Sequence, residues 1–189
     1  MSTTVIVILC IVGFILLIML ITYNSLISRK NKVEYAFSST DAMLKKRHDL
    51  IPNLVESVKQ YMNFEKNLLT DITKLRSDVM NDKLTDQQRF ELENKLSGVL
   101  GKIKIAVENY PELKASSNFL QLQASLNEIE EQISAARRAF NASVMDYNNA
   151  VEKFPSNIFA GMFGFRRKAS FEIPQEEREN VNVKTLFNS

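Results

Sequence analysis

The chain has 189 residues, 45% of them apolar and 24% charged, with a formal net charge of +2. That length holds one membrane span and one modest domain, and so balanced a charge makes no case for nucleic acid as a partner. A single cysteine, Cys10, and a single histidine, His48, exclude a disulfide framework, a thiol cluster and a multi-histidine metal site by count.

Val5 to Ile21 is an uncharged apolar run. As a helix, Val5 to Tyr23 would span about 28 Å, close to the thickness of a hydrocarbon core. No Lys or Arg occurs in the first four residues, and no small-x-small site follows the run, so an uncleaved anchor is expected rather than a signal peptide. Leu9 before Cys10 argues against a lipoprotein site. Arg29, Lys30 and Lys32 follow the span, which by the positive-inside tendency puts the short N-terminus outside and the rest in the cytoplasm.

From Val33 to Val79 the chain can be read as a coiled-coil-like heptad seam. One column is Phe37, Leu44, Ile51, Val58, Glu65, Ile72 and Val79; the other is Val33, Thr40, Arg47, Leu54, Tyr61, Leu68 and Leu75. Pro52 removes the amide that would bond the His48 carbonyl. Because the columns keep their frame across Pro52, a bent but continuous helix is expected, with a break there as the alternative. Asn81 to Leu84 reads as a turn, and Thr85 with Gln88 matches a capping box opening a second helix near Asp86. Its stripe is Leu92, Leu96, Val99, Ile103, Ala106 and Tyr110, with Gly98 and Gly101 offering close approach to a neighbour, and Pro111 ends it. Ser116 or Ser117 can cap a third helix, whose main column runs Phe119, Leu126, Ile133, Phe140, Tyr147 and Phe154. Few Gly and Pro, and no alternating Val/Ile/Thr runs, complete an all-α reading. The expected fold is a transmembrane helix continuing into an antiparallel bundle of three long helices, or four if the first breaks at Pro52. The division is an anchor at 1–23, a bundle at 24–165 and an extended or loosely attached tail at 166–189.

These stretches resemble the LemA family of bacterial membrane proteins. The resemblance rests on HDLIPNLVESVKQY (His48 to Tyr61), YPELKA (Tyr110 to Ala115), ARRAFN (Ala136 to Asn141) and DYNNAVEKFPSNIFAGMFGF (Asp146 to Phe165). Phe37, Thr40 and Phe140 depart from the family's usual Trp, Ile and Tyr. The resemblance implies a single-pass anchor in a bacterial inner membrane, the expected location, carrying a helical bundle without known catalytic residues, in accessory or organising proteins. Some members are encoded beside membrane proteases, and one relative in magnetosome-forming bacteria is tied to building an internal membrane.

Chemistry-bearing residues are few. His48 beside Asp49 has no nucleophile at a matching position, and a structural or surface role is expected. Lys45 and Lys46 read as a solvated face, with Arg47 turned to the seam. Arg47 and Glu65 are charged residues at seam positions, each needing a partner from another helix; Glu128, Glu131, Arg137 and Arg138 are the candidates, and such pairs would fix helix register. Glu128, Glu130 and Glu131 read as a solvated face rather than a metal site, and Gly161 with Gly164 does not form a phosphate loop. Ile158, Phe159, Met162, Phe163 and Phe165, followed by Arg166-Arg167-Lys168, are the candidate contact surface. Folding back over the bundle is the expected fate of this segment, insertion in the interface the alternative. No cofactor and no enzymatic activity are expected. The functional expectation is a membrane-anchored scaffold that oligomerises with itself and organises envelope proteins or the bilayer. The alternative is a regulatory adaptor for a membrane protease or transporter.

Overall fold

The computed structural model describes residues 2–62, 65–81 and 83–171, and these are all-helical, without strands. The helices are α1 (Thr3–Lys59), α2 (Lys66–Val79), α3 (Asp86–Ala106), α4 (Pro111–Lys114), α5 (Ser117–Glu152) and α6 (Ser156–Met162), with one 3₁₀ turn at Val107–Asn109. Two compact units form: Met1–Lys46 with Ile129–Ser170, and Arg47–Glu128 with Phe171.

Helix α1 begins in the apolar run and continues, unbroken, into the seam, with Pro52 inside it. The carbonyl that Pro52 leaves without its helical donor belongs to His48, and Arg76 Nε of α2 donates to it at 2.8 Å. An outside donor thus replaces the missing intrahelical bond, which is how a proline is tolerated in mid-helix. The break comes later than Pro52. Helix α1 ends at Lys59, Met62 is fully buried, and Glu65 stands at the N-terminal cap of α2. The reading of Val33 to Val79 as one seam is corrected here: it is two helices, and Tyr61 and Glu65 lie in the connection rather than on a helix face. Neither Gly nor Pro marks this break. Tertiary packing of Met62 against the core overrides local helix preference.

At the expected turn the Asn81 side chain accepts from the Lys83 amide and the Asn81 carbonyl from the Leu84 amide, while residue 82 lies outside the described residues. At Thr85 the capping box forms in full: Thr85 Oγ1 accepts from the Gln88 amide at 3.3 Å, and the Gln88 side chain accepts from the Thr85 amide at 3.0 Å. Pro111 opens the short α4 at its first position, where its missing N–H is not needed. The core of this unit joins Ile51, Leu54 and Val58 of α1 to Met62, to Leu69 and Ile72 of α2, to Leu96 and Ile103 of α3, and to Leu113 and Phe119. Gly98 and Gly101 face open space, so the expected close approach of a helix does not occur at either.

In the other unit the buried side chains include Leu26, Val33, Thr40 and Leu44 of α1 and Ile133, Phe140, Val144 and Tyr147 of α5. Phe37 and Phe140 meet with ring centroids 5.9 Å apart. Arg29 pairs with Asp146, and Lys168 with Glu34. A cleft of about 700 Å³, lined by small and polar residues such as Ser28, Asn31, Ser39, Ala136, Ala139 and Ser143, opens in this unit. Of the tail expected at 166–189, residues 172–189 lie outside the described residues, and its start is tied to α5. The Asn148 amide donates to the Lys168 carbonyl and accepts from the Lys168 amide, both at 2.9 Å, while the Tyr147 hydroxyl donates to the Arg166 carbonyl at 3.0 Å. Burial first, and then the nearby Glu34 carboxylate, keep that hydroxyl's pKa above the ordinary tyrosine value.

Candidate functional site

Arg47 and His48 are neighbours on α1; Glu93 and Ser97 are one turn apart on α3. They converge on a single charged cluster. Arg47 and Glu93 are fully buried, and His48 nearly so. Arg47 Nη2 donates to the Glu93 carboxylate, Nη1 donates to Ser97 Oγ at 2.6 Å, and Nη2 also reaches the Glu93 carbonyl at 3.4 Å. His48 Nε2 lies 2.9 Å from Glu93 Oε1. Burial pushes the Glu93 carboxyl up, but the His48 contact and the Arg47 charge together outweigh it and hold the group below its ordinary value. Glu93 is therefore an anion seated between two basic side chains.

The opposite charges of Arg47 and Glu93 meet inside the protein. Asp49, the sequence neighbour of His48, is exposed, and the imidazole turns to Glu93 instead. Ser97 Oγ accepts from Arg47, which weakens its lone pairs rather than activating them as a base would. A clamp between α1 and α3 describes the chemistry better than a reaction centre does.

Of the residues singled out in the sequence, Arg47 finds its partner in Glu93, which was not among the candidates. Glu65 sits at the start of α2, and Arg137 is half-buried on α5. A signal for Glu93 existed: Phe90, Glu93, Leu96, Leu100 and Ile103 recur at spacings of three and four, which puts the carboxylate in the middle of an apolar face. A charged residue at such a position needs an opposite charge from another helix, and Arg47 occupies the equivalent place on α1.

The aromatic segment forms a second site. Phe163 and Phe165 fold back on Tyr23, their ring centroids 4.9 Å and 6.0 Å from it in edge-on arrangements. The fold-back depends on how α6 ends. The Phe165 amide bonds the Ala160 carbonyl, the Gly164 amide bonds the Gly161 carbonyl, and Gly164 has φ of 73°; together these make a Schellman motif. Phe159 is half-buried, whereas Ile158 and Met162 stay exposed. Part of the segment therefore folds back, as expected, while Ile158 and Met162 do not.

These features define an all-helical protein whose first helix is long and apolar enough to cross a membrane, with that helix built into the folded part. The chain belongs to the LemA family, whose model matches residues 36–185. It is 28% identical over 165 residues to Protein LemA of Metamycoplasma hominis, covering 87% of this chain and 75% of that relative. Magnetosome protein MamQ of Magnetospirillum gryphiswaldense is 22% identical over 178 residues, 81% of this chain and 65% of the relative, just under two thirds of its length. Magnetosome protein MamQ 2 of Paramagnetospirillum magneticum is 22% identical over 190 residues, 87% of this chain and 70% of the relative.

Proposed function

We propose that this protein is a non-enzymatic, membrane-tethered helical scaffold, which oligomerises and organises envelope proteins or the bilayer itself. The observation that carries this reading is α1: one uninterrupted helix leads from an apolar run with exposed side chains into the unit that it forms with α5. A continuous helix between the apolar run and that unit suits a part that holds position. The buried charges favour helix register over turnover, since Glu93 and Arg47 are closed to any substrate. Relatives named as magnetosome proteins agree with a membrane-associated role. In this reading the anchor sits in a bacterial inner membrane with the bundle on the cytoplasmic side, following the basic residues Arg29, Lys30 and Lys32.

Mass photometry of the detergent-solubilised full chain tests the scaffold. A homogeneous assembly of several copies is expected; a monomer throughout the accessible concentration range would remove it. Protease added to spheroplasts tests the orientation, and digestion of the bundle from outside would reverse it.

A further inference from the structure

Tyr23 closes the apolar run of α1, and its ring is in contact with Phe163 and Phe165. Those contacts put the segment around α6 at the level where the span ends, whichever way the chain is oriented. On that segment three large apolar side chains face outward: Phe154 is 80% exposed, Ile158 53% and Met162 68%. Ile158 and Met162 are four residues apart on α6, hence on one face. Arg166 and Arg167 follow shortly after, both exposed, with Arg167 paired to Glu152 at 2.8 Å.

We infer that this segment is a second membrane contact, with Phe154, Ile158 and Met162 seated in the interfacial layer of a phospholipid bilayer and Arg166 at the headgroups. It rests on the proposed reading that α1 spans a bilayer. Three arguments select lipid as the occupant. The patch is continuous, through Tyr23, with the exposed apolar surface of the run, so whatever surrounds the end of the span also meets α6. Its composition is that of an interfacial element, aromatic and aliphatic side chains beside cations. Its local geometry is fixed from within: the Schellman turn at Gly164 and the Ser156 hydroxyl, which donates to the Ala150 and Lys153 carbonyls, hold α6 without using its outer face. Each apolar group moved from water into the acyl boundary then contributes favourably, roughly in proportion to its area.

The chain has no tryptophan, so single substitutions give unambiguous reporters. Ile158→Trp and Met162→Trp are introduced separately into the full chain, reconstituted in phosphatidylcholine–phosphatidylglycerol vesicles with and without lipids brominated high on the acyl chain. Leu16→Trp, inside the apolar run, reports on the span; Tyr35→Trp, at a position 79% exposed and further along α1, reports on water. The α6 reporters are expected to emit to the blue of the Tyr35 reporter and to lose most of their emission to brominated lipid, while the Tyr35 reporter loses little. Red emission that brominated lipid leaves untouched, with the Leu16 reporter quenched, would overturn the inference and leave the anchor standing. Blue emission without quenching would also overturn it, in favour of a protein covering the patch. A Leu16 reporter that brominated lipid does not quench would overturn the anchor and the inference together.

Discussion

Glu93 carries the clearest single-residue consequence. Replacing it by Gln leaves Arg47 without its counter-ion in a site closed to water, and a loss of about 3 kcal/mol is expected. Exchanging Arg47 and Glu93 together for Met and Leu is expected to cost far less, because the desolvation penalty of both charges goes with them. Urea midpoints of the two variants in detergent check this pair of outcomes; equal losses would show that the cluster does not act as a unit. The same carboxyl sets an acid limit. Its folded pKa lies below the ordinary 4.5, so its contribution is complete above about 4.5 and disappears as pH falls through the lower folded value. Between pH 6 and pH 3 the parent chain is therefore expected to lose stability more steeply than Glu93→Gln. Arg47 was legible at a seam position because helical spacing is a local property. Its partner was not, because 46 residues separate the pair and spacing alone does not say which faces meet.

The handling of Pro52 is the most informative point among the elements. Arg76 donates to the His48 carbonyl that the proline leaves open, so Arg76→Met is expected to cost about 1–2 kcal/mol. In a Pro52→Ala background the amide returns to that carbonyl, and the same change is expected to cost less. A double-mutant cycle by urea denaturation measures the difference; strict additivity would mean that Arg76 does not serve as the replacement donor. Gly98 and Gly101 lie inside α3 with open space at each Cβ position, so alanine at both is expected to stabilise the fold by about 1–2 kcal/mol in total. A fall in the melting temperature would contradict the reading of these sites as unoccupied. Local chemistry made the Thr85 cap and the Asn81 turn readable from sequence. The stop after Lys59 was hidden because Ile72 and Val79 happen to keep the heptad count across a connection set by Met62.

For the whole chain, the apolar run and the absence of strand-like alternation were enough to indicate a helical protein with a candidate span. The two units were not visible in the sequence. Two of their limits fall between Lys46 and Arg47 in α1 and between Glu128 and Ile129 in α5, inside continuous helices where no change of composition marks them. If α1 is the anchor, a chain lacking residues 1–23 is expected to leave the membrane fraction and appear in the soluble one. Should it pellet with membranes at low ionic strength and wash off in salt, the basic and aromatic segment near α6 would be the next attachment to remove.

The Asn148 clasp on Lys168 has a consequence for digestion. Arg166, Arg167 and Lys168 offer trypsin three adjacent cleavage points, yet a protease must draw several residues of free, extended chain into its cleft. With both hydrogen-bonding groups of the Lys168 backbone held by one side-chain amide, and the Arg166 carbonyl held by Tyr147, those bonds are expected to be cut slowly while the fold lasts. Asn148→Ala, which releases that grip without touching the cleavage points themselves, should turn this stretch into an early nick.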